Sequence, residues 1–168
     1  IRSSKTDAEV KKIKKAQSIT DKAFMEILPY IKPGVTEKEI KARLEYIMLS
    51  LGADGVAFET IVASGKNGAK PHAVSSDKKI QNGEFVVLDF GARLDNYNSD
   101  MTRTVAVGNI TKEMEDIYSL VLLAHEKAKE ALKPGTKCKD IDFIARQIFI
   151  KNGYGEHFTH SLGHGVGI

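Results

Sequence analysis

Two pairs of residues in this sequence have the types and spacing to do chemistry. Asp89 and Asp100 flank a short polar turn between two runs of β character, and His160 and His164 stand four residues apart in a Gly-rich stretch. Carboxylate oxygens suit hard divalent cations and imidazole suits a broader set, so these groups together point to metal-assisted chemistry. The single cysteine, Cys138, excludes a cysteine-based zinc cluster and an intramolecular disulfide, which fits a reducing compartment. Any metal must be held by His, Asp or Glu.

The geometry of the aspartates can be derived. If the turn is the two residues Leu94 and Asp95, Arg93 faces Asn96 and, counting outward, Asp89 stands opposite Asp100 on one face of a hairpin. Opposed residues have Cβ atoms about 4.5–5.5 Å apart, so the two carboxylates repel. Asp89 also sits in the nearly continuous apolar run Phe85 to Gly91, where an unpaired charge costs several kcal/mol. A basic side chain, a shared proton or a metal ion must offset this. Arg103 is near in sequence, but its odd offset from Asp100 turns it to the opposite face. Two alternatives stay open on these residues alone: Asp100 ends the turn and only Asp89 is internal, or a bulge spoils the pairing.

In His160-Ser-Leu-Gly-His164-Gly-Val-Gly167 the glycines disfavour a helix, so an extended strand is expected. The two histidines then share a face roughly 13 Å apart, at about 3.3 Å per residue, too far to ligate one ion. The alternate glycines permit close approach of a neighbouring strand or ligand. A lone histidine is more often structural than a ligand. Here His72, His157, His160 and His164 all lie in polar or Gly-rich segments, whereas His125 falls within a helix and is expected to be packed there.

The elements that must position these groups follow from periodicity. Apolar residues recur at helical spacing from Asp7 to Tyr30, and Pro33 and Gly34 stop that helix. Thr36 and Glu39 form a capping box for a second helix reaching Leu51. Gly55 to Ala63 reads as a strand, Ser64 to Asp77 as a loop, and Phe85 to Ala92 with Tyr97 to Val107 as a hairpin. A third helix runs from Thr111 to Leu132, and a fourth from Thr136 or Lys137 to Asn152. Lys-Pro-Gly occurs at Lys32 and again at Lys133, each followed by Thr and a helix, about a hundred residues apart. Two helices followed by strands, twice over, predict an α+β domain of two pseudo-symmetric halves, the second incomplete.

Composition excludes several classes. At 168 residues, 42% hydrophobic and 28% charged, the chain suits one globular domain, with no sign of disorder. The net charge of +3 includes the run Lys11, Lys12, Lys14 and Lys15, which without interleaved aromatics reads as a solvated helix face and not a nucleic-acid site. No apolar run approaches the roughly 20 residues that span a bilayer.

With the motifs in view, a resemblance emerges. Val86-Val-Leu-Asp89-Phe-Gly-Ala, Tyr97-Asn-Ser-Asp100-Met-Thr-Arg-Thr104 and His160 to Gly167 resemble the pita-bread, M24-like metallopeptidases. Within these the motifs are similar to the Xaa-Pro aminopeptidase and prolidase branch, as are Phe58 to Gly65, Pro71-His72-Ala73 and Asp142 with Ala145-Arg146. The resemblance implies hydrolysis of peptide bonds next to proline, in substrates with proline at the second position, by water activated by two divalent ions, Mn²⁺ or Co²⁺ with Zn²⁺ as a further option. It implies that Asp89, Asp100 and His164 are metal ligands, Asp100 shared by both ions, and that two glutamate ligands lie beyond Ile168. It implies that His72 and His160 act on the substrate or its carbonyl oxygen. The intact protein is expected to be a cytoplasmic homo-oligomer, and the composition predicts no membrane or nucleic-acid partner. Residues 1–168 would be a catalytic domain truncated at its C-terminus, Ile1 to Asp7 the junction leading into it, and the branch's N-terminal domain absent. As an isolated piece it is expected to bind metal weakly and to be inactive. The rival readings are a methionine aminopeptidase-like enzyme, a metal-free creatinase-like hydrolase and a non-catalytic binding module of the same fold.

Overall fold

Thr6 and Thr36 open their helices in the same way. Each hydroxyl accepts the backbone N–H of the residue three further on, Glu9 or Glu39, whose carboxylate accepts the threonine's own N–H. These reciprocal bonds satisfy donors that a helix start otherwise leaves bare. The helices are α1, Asp7–Ile27, and α2, Glu37–Ser50. The expected extension of α1 to Tyr30 is instead a 3₁₀ turn, Leu28–Tyr30, with Pro29 inside it. This computed structural model describes residues 4–168; residues 1–3 of the expected junction lie outside the described residues.

The expected strand Gly55 to Ala63 is two strands, β1 (Gly55–Val56) and β2 (Ile61–Ser64), in different sheets. Each arm of the hairpin is divided likewise, into β3 (Glu84–Phe90) and β4 (Ala92–Leu94), and into β5 (Tyr97–Asn98) and β6 (Met101–Val107). The breaks coincide. Ala57 N–H donates to the Gly91 carbonyl at 2.9 Å, and a Cβ on Gly91 would collide with the Ser99 carbonyl oxygen. The chain crosses there from the sheet β1-β4-β5 to the sheet β2-β3-β6. Only a glycine permits the approach.

Along β3, Val86, Leu88 and Phe90 are buried while Val87 and Asp89 face the other way, the alternation that a pleated strand imposes. The buried face packs on Ile19, Ala23 and Ile27 of α1 and Ile40, Leu44 and Met48 of α2. Each such large side chain contributes about 1.5–3 kcal/mol on burial. Of the lysine run on α1, Lys11, Lys14 and Lys15 are exposed and Lys12 lies over the Tyr97 ring at 5.3 Å, so a solvated face is observed.

The chain divides into two units, Ile1–Ile110 with Val166–Ile168, and Thr111–Gly165. In the second unit, α3 (Lys112–Ala131) packs on α4 (Cys138–Lys151) through Ala124, Ala128, Ile141 and Ala145. His125, expected to be packed, is exposed, because the α4-facing positions are 124 and 128 and residue 125 turns away from them. The sequence echo has a structural counterpart: the two helix pairs have 21 and 14 residues, and 20 and 14. Gly34 and Gly135, then Gly52 and Gly153, hold positive φ at corresponding turns. No helix is long and apolar enough to cross a membrane among the described residues.

Candidate functional site

The hairpin turn is Asp95-Asn96, both at positive φ (51° and 64°), and not Leu94-Asp95. A two-residue turn with both central residues at positive φ matches strand twist, and Asp and Asn tolerate that region best after glycine. The register therefore moves by one residue on each strand. Asp89 faces Thr102, not Asp100, and Thr102 Oγ1 donates to Asp89 Oδ1 at 2.9 Å. The direct opposition expected above is corrected, but the shared face survives. Phe90 faces Met101 on one side of the break and Arg93 faces Asn98 on the other, so Asp100 counts out opposite Gly91.

Ser99 fixes which way Asp100 faces. Its hydroxyl is buried, lies 2.6 Å from Thr20 Oγ1 of α1 and accepts the Ala92 N–H at 2.8 Å. Ser99 thus points to the helix side, and Asp100, one residue on, points to the Asp89 side. Arg103 is on the helix side too, 6.0 Å over the Phe24 ring, so it is turned away from the carboxylates. Two hard carboxylates on one face, with a glycine counted opposite Asp100, are a donor set that fits divalent metal. Among the described residues no group of three or more His, Cys, Asp or Glu is placed to hold an ion.

His72 is exposed, beyond the 3₁₀ turn Gly65–Ala69, in a segment without regular structure. That segment is held by a buried acid that no sequence motif marks. Glu37, fully buried at the first position of α2, accepts hydrogen bonds from Ser64, Asn67 and Ser76. Burial raises its pKa, but the donors from Ser76, Ser64 and Asn67 outweigh this and hold it below the ordinary glutamate value.

In the second unit His160 and His164 are both exposed, and each ring Nδ1 lies within 3.0 Å of the next residue's carbonyl oxygen, Ser161 or Gly165. The expected strand does not form: residues 161–168 have no regular structure, and Gly163 and Gly165 face open space among the described residues. An extended Gly-rich segment needs a partner strand to be fixed as one. One bond of that kind occurs, Asn98 N–H to the Gly167 carbonyl at 2.7 Å. The segment is anchored earlier by α4. Arg146 pairs with Asp142 at 3.0 Å and donates to the carbonyls of Phe158 and His160, while Asp142 accepts the Leu162 N–H at 2.8 Å. The Arg146 hydrogen bond, followed by that of Leu162, lowers the Asp142 pKa. His157 ends a 3₁₀ turn, Gly155–His157, with its ring centroid 6.1 Å from that of Tyr154.

Comparison with known proteins bears on the family and the fold. The model of metallopeptidase family M24 matches residues 11–168. The chain is 49% identical over 164 residues, 98% of its length, to the Xaa-Pro dipeptidase of Pyrococcus horikoshii, of which it spans 47%. The structure superposes on the prolidase from Pyrococcus furiosus with a TM-score of 0.95 and 49% identity, covering 97% of this chain and 48% of that one. On the X-Pro aminopeptidase from Thermotoga maritima the TM-score is 0.94 at 48% identity, covering 97% and 46%. The chain spans about half the length of the relatives it matches.

Proposed function

The chain belongs to metallopeptidase family M24, with the pita-bread fold of its prolidase neighbours, and from that premise we propose that the full-length protein is a metal-dependent peptidase cutting the bond that precedes a proline at the second position. The observation that carries the proposal is the placing of Asp89 and Asp100 on one face of the hairpin, with Arg103 turned away. Asp89, Asp100 and His164 are the proposed ligands, for Mn²⁺ or Co²⁺, and the remaining carboxylates come from the part of the relatives' length that this chain does not span. Two such ions, when bound, lower the pKa of water and polarise a carbonyl oxygen.

The rest falls to the chain's own groups. Thr102 orients Asp89 through its hydrogen bond, Ser99 and Gly91 set the direction of Asp100, and Arg146 with Asp142 steadies the segment leading to His164. His72 and His160, both exposed, are the proposed donors to the substrate carbonyl or its neighbourhood. The relatives include a dipeptidase and an aminopeptidase, so the proposal concerns the Xaa-Pro bond and not the length of the peptide. The single cysteine, Cys138, exposed, supports a reducing cytoplasm, and exposed apolar residues such as Leu122, Leu132 and Phe143 support association with further chain or a second copy.

The test is chelation and restoration. Full-length protein stripped of metal should lose turnover of an Xaa-Pro peptide and regain it with Mn²⁺ or Co²⁺, and should favour proline over alanine at the second position by at least about tenfold. Undiminished turnover in chelator, or equal rates on both peptides, would refute the proposal.

A further inference from the structure

We infer that Glu37 is a positioning residue for His72, holding the histidine-bearing segment to α2 from both ends; this rests on the reading of His72 as a substrate-side group. Glu37 is 0% exposed. Its Oε1 accepts Ser64 N–H at 2.7 Å, Ser64 Oγ at 2.9 Å and Asn67 Nδ2 at 3.1 Å. Its Oε2 accepts Ser76 N–H at 3.0 Å, Ser76 Oγ at 2.7 Å and Asn67 Nδ2 at 3.3 Å. The chain thus leaves one carboxylate at Ser64 and returns to it at Ser76, with His72 between. The return is reinforced: Lys38 N–H donates to the Ser76 carbonyl, Glu37 N–H to that of Lys78, and Val62 N–H at the outer edge of β2 to Ser75 Oγ.

Helix architecture does not call for this carboxylate. The first residue of α4, in the corresponding helix pair, is Cys138, which is exposed. The N-cap at Thr36 is already complete with Glu39. What the buried carboxylate adds is a fixed position for an irregular segment, and an exposed side chain can act on a substrate only from a backbone that is held. Misplacement of a catalytic group by about 1 Å can cost a hundredfold in rate.

A double-mutant cycle in the full-length, Mn²⁺-loaded protein tests this, with Ser76→Ala and His72→Ala as the two changes. Ser76→Ala deletes one donor to Glu37 and the acceptor of the Lys78 N–H, and leaves the Ser76 backbone N–H, Ser64 and Asn67 in place on the carboxylate; Asn67→Ala, which leaves the Lys78 bond intact, serves as the second variant. Ser76→Ala should lower kcat about tenfold with KM little changed, and speed backbone hydrogen exchange in residues 70–74. In the His72→Ala background the same change should cost less than about twofold, because the group it misplaces is already gone. An equal tenfold loss in both backgrounds would overturn the inference while leaving His72 its role. A His72→Ala protein with wild-type kcat would overturn that role, and the inference with it.

Discussion

Replacing Asp100 by alanine in the full-length protein should lower kcat on an Xaa-Pro peptide by on the order of a thousandfold or more. Loss of a hydrogen-bond partner behind a metal ligand already costs about 10–100-fold, and loss of the ligand itself must exceed that. The fold should persist, because the structural load at this point is on its neighbours. Ser99 is buried and bonded to Thr20 and Ala92, and Met101 is packed in the core, whereas Asp100 is partly exposed on the opposite face. Steady-state kinetics, with the unfolding midpoint alongside, checks the prediction. A variant with near wild-type kcat would remove Asp100 from the centre.

The second large effect is on stability. Glu37→Gln keeps the shape of the side chain but turns one of its acceptors into an amide that faces the donors of Ser64 or Ser76. Leaving buried donors unmatched should cost about 2–4 kcal/mol, read as a lower denaturant midpoint and faster exchange of the Ser64 and Ser76 amides. The same carboxylate sets an acid limit. Its folded pKa is depressed, so its stabilisation is fully present above the unfolded value of about 4.3 and is lost as pH falls through the lower folded value. The wild-type protein should therefore lose stability more steeply than the Gln variant over that window. Parallel acid profiles for the two proteins would mean that Glu37 is not the group responsible.

What could be read from the sequence was what depends on period and local chemistry. The helices follow from apolar spacing and capping pairs such as Thr36 with Glu39, and the two-half organisation from the repeated Lys-Pro-Gly. The shared face of Asp89 and Asp100 depends only on parity, so it survived an error in register. The register itself depends on which two residues form the turn, and Asp95-Asn96 at positive φ is a choice that neighbouring polar residues obscure. The division of the strands at Gly91 was hidden, because the glycine answers a close approach by Ser99, which is distant in sequence. Glu37 was missed for a related reason. An acid in the first turn of a helix is normally a solvated partner of the helix dipole, and nothing near it in sequence shows that Ser64 and Ser76 will close over it. The tail from His160 to Gly167 was expected as a strand from its glycines alone, but a strand is made by its partner, and among the described residues that partner is one hydrogen bond to Asn98.

The central claim is that the hairpin face carrying Asp89 and Asp100 is one side of a two-metal centre. Elemental analysis of the full-length protein after dialysis against Mn²⁺, beside its Asp89→Asn and Asp100→Asn variants, tests it most directly. The prediction is about two ions per chain in the wild type and a clear loss of bound metal in both variants. Equal metal content in all three proteins, or none in the wild type, would contradict it.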